Sequence, residues 1–200
     1  MCCRYCFEDQ AKNFIRHMAV NGFEPETAAL EMVKPEVRPN DKAWLLTGQN
    51  GQIRADCMRW GFMASGSGQL VINARSETVF EKPMFSASIR SRRCVIACDC
   101  FYEWDREKEM CTFTRPDASV ILLAGIYDYI RNEKRFTVLT TEANNSVLPV
   151  HDRMPLILEP DKVRNWIFES GAAEEVLKLS QPELRVEREY EQMSLFDGIM

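Results

Sequence analysis

Residues 93–104 read RCVIACDCFYEW. A run this rich in β-branched, aromatic and cysteine side chains suits a buried strand. Ser119–Tyr129 and Arg135–Thr141 share that character and read as two further strands, separated by the turn-like Arg131-Asn132-Glu133-Lys134. Trp44–Thr47 reads as a shorter strand, and Leu156–Leu158 is apolar and extended. Helical spacing falls outside these segments, in Phe7–Ala19, where Phe14 and Met18 form an i,i+4 pair, and in Pro25–Val33. Asp161–Glu169 is a further predicted helix, with Asp161 as its N-cap and Pro160 outside it, and Gly171 separates it from another over Ala172–Leu179. Asn144–Val147 suits one helical turn capped by Asn144, Lys34–Asn40 with its two prolines reads as a loop, and Gly61–Gly68 reads as a mobile surface loop. Strands at the centre and helices at the edge predict an α+β fold. It is a single domain with a mixed, mainly antiparallel, barrel-like β-sheet core and peripheral helices. The domain is expected over 1–180, with an acidic tail over 181–200.

A chain of 200 residues, 46% of them hydrophobic, can bury one core of ordinary size. Its longest apolar run, Val120–Ile126, falls far short of the roughly 20 residues that span a bilayer, so no membrane partner is expected. The N-terminus shows no secretory signal. A cytoplasmic chain is therefore expected, with most of its eight cysteines reduced.

The net charge of −5 excludes a protein coated in basic surface. The basic residues are nonetheless bunched. Arg54–Arg93 holds six Arg and one Lys against Asp56, Glu77 and Glu81, a local excess of +4 suited to an anion groove.

The start, MCCRYC, places a cysteine directly after the initiator methionine. With Met1 removed, Cys2 would carry a free α-amine, titrating near about 8, beside a thiol titrating near about 8.5. An amine attacks an aldehyde to give an imine. The adjacent thiol can then close a five-membered thiazolidine. Cys2 as a small buried hydrophobe is the plainer alternative. Cys3-x-x-Cys6 has the spacing of half a zinc site, but Cys94, Cys98 and Cys100 on an apolar strand are poor complements to it, and no metal is expected. Asn73 and Glu103 are polar residues inside apolar strands, and burial among aromatics should raise the Glu103 pKa, which suits an acid/base. His17 lies on a charged helix. His151, in the irregular stretch VHDRMP, is the other histidine and the better candidate for proton transfer.

Four blocks together resemble the SRAP family, the SOS-response-associated peptidases that act on abasic sites in single-stranded DNA. They are MCCRY; INARSET with EKPMF; RCVIACDCFYEW; and TTEANNSVLPVHDRMPLIL, over roughly residues 1–168. The resemblance implies that Cys2 is the nucleophile and forms a thiazolidine crosslink with the ring-opened abasic sugar. By the same resemblance Asn73 would hold the terminal residue and the sugar, Glu103 would shuttle protons, and His151 would help open the sugar ring. Arg4, Arg75 and Arg153 would grip phosphates, and Thr140 would touch the backbone. The family is also linked to removal of Met1 and to a lyase-like activity, with no cofactor. The chain departs from the family pattern at Cys3 and Cys100, both usually glycine. It departs again at Phe62-Met63-Ala64, where the family has Pro and tryptophans that stack on bases. Phe62 and Met63 could substitute in part, and an aromatic there suits the core equally.

Gln192-Met193-Ser194-Leu195-Phe196 resembles the pentapeptide that docks bacterial proteins onto the replication sliding clamp, with Gln192, Leu195 and Phe196 as its anchors. Two other readings are an N-terminal-nucleophile amidohydrolase such as a glutaminase, which also begins Met-Cys, and a zinc-supported DNA-binding module.

Overall fold

The computed structural model describes residues 2–19, 27–64 and 66–188. In chain order it begins with β1 (Tyr5–Cys6), α1 (Asp9–Met18), α2 (Thr27–Glu31), β2 (Glu36–Val37), β3 (Lys42–Gln49) and β4 (Gln52–Trp60). There follow β5 (Phe62–Met63), β6 (Leu70–Val71), β7 (Asn73–Arg75), α3 (Pro83–Ser91), β8 (Arg93–Cys98), β9 (Cys100–Trp104) and β10 (Met110–Thr114). The rest is β11 (Ile121–Ile130), β12 (Glu133–Glu142), β13 (Arg153–Pro155), β14 (Ile157–Leu158), α4 (Val163–Phe168), α5 (Ala172–Val176) and β15 (Arg185–Arg188).

Five strands close on themselves. β12 pairs in parallel with β4, and antiparallel pairings run from β4 through β3, β8 and β11 back to β12. Closure removes the open sheet edges that would otherwise template aggregation. β8 lies between β3 and β11 and beneath α1 and α4, so all six of its residues are buried. This explains its unbroken apolar run, where a strand with one wet face would alternate. A second sheet, in the order β15-β10-β9-β1-β2, packs alongside. The fold is thus α+β, a single domain with a mixed, mainly antiparallel barrel core and peripheral helices, as the sequence predicts.

The core is aromatic where the two sheets meet. Tyr5 packs on Trp60 at 5.3 Å between ring centroids, Trp60 on Phe136 at 6.1 Å, and Phe101 on Phe113 at 4.9 Å. Each fully buried side chain of this size contributes roughly 1.5–3 kcal/mol. Arg93 is buried at the start of β8. Its guanidinium donates to the carbonyls of Ile89 and Arg90 (both 2.8 Å) at the end of α3, and to those of Trp166 and Glu169 (3.0 Å for Glu169) at the end of α4. One cation thereby satisfies the orphan carbonyls of two helix C-termini. α4 also lies close to β3, where a Cβ on Gly48 would sit 2.6 Å from an Ile167 methyl.

Several elements differ from expectation. The single strand expected over Arg93–Trp104 is two, because the chain turns at Asp99 and passes from the barrel into the second sheet. The turn between β11 and β12 is only Arg131-Asn132, both at positive φ, and Glu133 and Lys134 already pair in β12. Pro160 opens a 3-10 turn ahead of α4, and Asp161 makes no capping bond, since the fixed φ of proline suits that first turn. Lys34–Asn40 includes β2, and Phe62–Met63, inside the stretch expected as a loop, pairs with Leu70–Val71. β4, β10 and α3 lie where no element was expected. β4 interleaves Arg54, Asp56 and Arg59 with its buried residues, which hid its pattern, although Asn50-Gly51 marks the hairpin turn before it. Within the stretch expected as tail, Arg185–Arg188 pairs with β10.

Candidate active site

Three short pairings assemble the site. β1 lies antiparallel to β9 with Tyr5 opposite Phe101, so continuing the register puts Cys3 opposite Glu103. Tyr102 N–H donates to the Arg4 carbonyl at 3.0 Å, which keeps that register up to the chain start. The far half of β12 is flanked by β7 on one side and β13 on the other, with Thr140 opposite both Arg75 and Pro155. The segments that carry Asn73 and His151 are thereby brought together.

Asn73 reaches Cys2 directly. Its Nδ2 donates to the Cys2 carbonyl at 3.0 Å, while its Oδ1 is buried and has no hydrogen-bond partner among the described residues. The Cys2 thiol is fully buried and donates to the Arg4 carbonyl at 3.7 Å. Burial pushes this thiol far above its usual range, and the nearby Glu103 carboxylate pushes it further. Cys3 is half-buried and raised for the same two reasons. Glu103 is 2% exposed, and burial raises its carboxyl above the ordinary range. A raised carboxyl beside a protonated thiol is suited to passing protons, whereas thiolate attack is disfavoured.

His151 has its Nδ1 2.9 Å from the Arg153 backbone N–H and also 2.9 Å from Asp152 Oδ1. The first contact needs a lone pair on Nδ1 and the second needs a proton there. Burial outweighs the pull of Asp152 and lowers the imidazole pKa, which favours the neutral ring with its proton on Nε2. His151 borders a cleft of about 330 Å³ lined also by Trp104, Arg106, Leu148 and Asp152.

The four residues expected to contact DNA divide into two pairs. Arg4 lies over the Trp104 ring at 4.7 Å and 3.5 Å from Glu36, and Arg75 is exposed with no ion pair among the described residues. Arg153, by contrast, is 9% exposed. It binds Glu77 through two nitrogens at 2.7 and 2.9 Å and donates to the Thr140 carbonyl at 2.8 Å. Burial alone would raise the Glu77 carboxyl, but this guanidinium holds it below its ordinary range. Thr140 is fully buried beneath it. Arg153 and Thr140 thereby pin β13 to β12. Phe62 is 1% exposed and packs on Phe85, which is the core placement of the two that the sequence allows, and Met63 is half-buried.

Cys6 and Cys100 face each other across β1 and β9 and form a disulfide, and the other six cysteines are free. Among the described residues no group of three His, Cys, Asp or Glu side chains could hold a metal ion. No helix there is long and apolar enough to cross a membrane. Gln192, Leu195 and Phe196 lie outside the described residues. Glu77 and Asp99 were missed from the sequence. An Asp interrupting an apolar run was the available signal for the second.

A family model described as SOS response associated peptidase (SRAP) matches residues 1–194. The abasic site processing protein YoaM of Bacillus subtilis is 28% identical over 192 residues, covering 89% of this chain and 84% of its own. The abasic site processing protein YedK of Escherichia coli is 24% identical over 193 residues, covering 90% and 85%. A crystal structure of a protein from Bordetella bronchiseptica superposes with a TM-score of 0.77 at 23% identity, over 94% of this chain and 99% of that one.

Proposed function

The chain belongs to the SOS response associated peptidase family, and from that premise we propose that it processes abasic sites in single-stranded DNA by covalent capture on Cys2. The observation that carries this reading is the Asn73 bond to the Cys2 carbonyl, in a register that sets the chain start beside buried Glu103. The names of YoaM and YedK as abasic site processing proteins support it.

In this reading Met1 is removed first, by self-processing at the Met1–Cys2 bond. The Cys2 amine then attacks the ring-opened aldehyde. The thiol is not needed at this step, which suits a sulfur that burial keeps protonated. The carbinolamine loses water to an imine, with Glu103 supplying the proton and neutral His151, through its Nε2 proton, assisting ring opening. The thiol adds to the imine carbon, its proton passing to Glu103, and one water is released overall. Elimination from the imine would account for lyase-like strand cleavage. Arg75 and Arg4 hold phosphates without reading sequence. The protein would work in the cytoplasm on the chromosome, and the tail would dock on the sliding clamp through Gln192, Leu195 and Phe196.

Protein mixed with a single strand containing one abasic site should give a heat-stable, protein-sized shift on a denaturing gel. Cys2→Ala should abolish the shift and Cys3→Ala should largely keep it. Intact mass of active protein should lack one methionine, and a retained Met1 would sink the reading. Phe196→Ala should leave crosslinking intact in isolation and weaken binding to the clamp. Loss of crosslinking in that variant would remove the separate docking role.

A further inference from the structure

The first residue of β1 lies only three positions after the proposed nucleophile, and β1 itself is two residues long. So short a strand is marginal without tertiary support. Its support converges on one side chain. Asp99 N–H donates to the Cys6 carbonyl at 3.0 Å. The Asp99 carboxylate accepts from the backbone N–H groups of Glu8 at 2.7 Å, Gln10 at 3.0 Å and Ala11 at 3.3 Å. These are donors at the start of α1, whose own N-cap residue, Glu8, makes no side-chain cap. The cap therefore comes from 91 residues away in sequence. A carboxylate at a helix N-terminus satisfies orphan donors and meets the positive end of the helix dipole.

Asp99 is also the residue at which the chain passes from β8 into β9. β9 carries Glu103, four positions on. Asp99 thus ties three things together: the strand that begins just after Cys2, the helix that follows it, and the strand that carries the buried acid. Cys6 and Cys100, flanking this junction, are bonded across the same pair of strands. Phe7 N–H to the Pro35 carbonyl, at 2.7 Å, closes the other side of β1.

We propose that Asp99 is a positioning residue for the nucleophile, capping α1 from outside so that the chain start is held at a fixed distance from Glu103 and Asn73. It touches neither DNA nor the reacting atoms. Its effect is to keep the Cys2 amine in reach of a bound aldehyde. A displacement of about 1 Å in such an arrangement can cost on the order of a hundredfold in rate. The proposal rests on the crosslinking reading above.

The test compares Asp99→Ala, Asp99→Asn and Trp166→Phe in the full chain. Trp166 is buried in α4 and donates to the Cys94 carbonyl near the opposite end of β8 from Asp99, so its variant supplies a loss of stability without removing any bond that Asp99 makes. Asp99→Ala should slow adduct formation at saturating DNA by about tenfold or more. Its Kd for a strand carrying an unreactive tetrahydrofuran abasic analogue should stay within about twofold. Asp99→Asn keeps one accepting oxygen and should fall between the two. Trp166→Phe, assayed equally far below its Tm, should crosslink at the wild-type rate. A wild-type rate in Asp99→Ala would overturn the proposal, as would equal slowing in Trp166→Phe. If Asp99→Ala does not fold, Asp99→Asn carries the same comparison. Hydrogen exchange separates this proposal from the one it rests on. Should the wild type form no adduct, crosslinking fails, yet selective loss of protection over Tyr5–Ala11 in the Asp99 variants would still support the anchoring. Unchanged protection there would overturn it.

Discussion

β8 and β9 are neighbours in sequence and opposites in physical character. β8 is wholly buried in a closed barrel, paired on both sides, and begins with a cation that clamps two helices. β9 lies in the smaller sheet, pairs with a two-residue strand on one side, and buries a carboxylate whose pKa the burial raises. The first is organised for stability. The second holds a group in a state that costs stability, as expected of proton-transfer machinery. The lesson is that the barrel supplies rigidity and the adjoining sheet uses it, with Asp99 as the joint.

The sharpest way to break the contrast is at Glu103. Glu103→Gln should slow crosslinking by roughly 10²–10⁴-fold, measured as single-turnover adduct formation. It should not lower stability near neutral pH, and the sign follows from linkage. The folded pKa of Glu103 is raised, so its contribution is fully present below the unfolded value of about 4.3 and is lost as pH rises through the folded pKa. Urea titrations across that window should show a shallower fall in stability for Glu103→Gln than for the wild type. An equal slope would mean that Glu103 is not held protonated by the fold.

A second pair separates anchoring from binding among the arginines. Arg153→Ala leaves Glu77 without its partner in a half-open setting and frees the Thr140 carbonyl. It should cost about 2–3 kcal/mol, read by denaturant melting, with the partial exposure of Glu77 keeping it below a fully buried pair. Arg75→Ala should leave the melt unchanged. It should weaken binding to single-stranded DNA by a few-fold and reduce the salt slope of log K by about 0.7. If Arg153→Ala reduced the salt slope and left the melt alone, Arg153 would be a phosphate contact after all.

Much of the fold could be read early. The apolar runs at 93–98 and 121–126 are barrel strands because nothing but burial on both faces accommodates them, and 135–141, with its threonines, pairs beside them. Of the candidate site, Cys2, Asn73, Glu103 and His151 were recognisable as chemistry-bearing residues. The partner of Arg153 was not legible, because a charge in sequence does not announce what it pairs with. Glu77 lies 76 residues from Arg153, and only the pairing of β12 with both β7 and β13 sets them face to face. The sequence leaves Phe62 open for a similar reason: an aromatic after Trp60-Gly61 looks the same whether it packs inward on Phe85 or outward on a base.

By itself, the sequence determined which segments must be buried and which side chains can move a proton or attack an aldehyde, because hydrophobicity and functional-group chemistry are local properties. Tertiary structure alone decided the burial of the Cys2 sulfur, the commitment of Arg153 to Glu77 and the cap that Asp99 gives to α1. Each of these depends on a partner far away along the chain. Pairing energies and pKa shifts are set by distance in space, which local sequence does not encode.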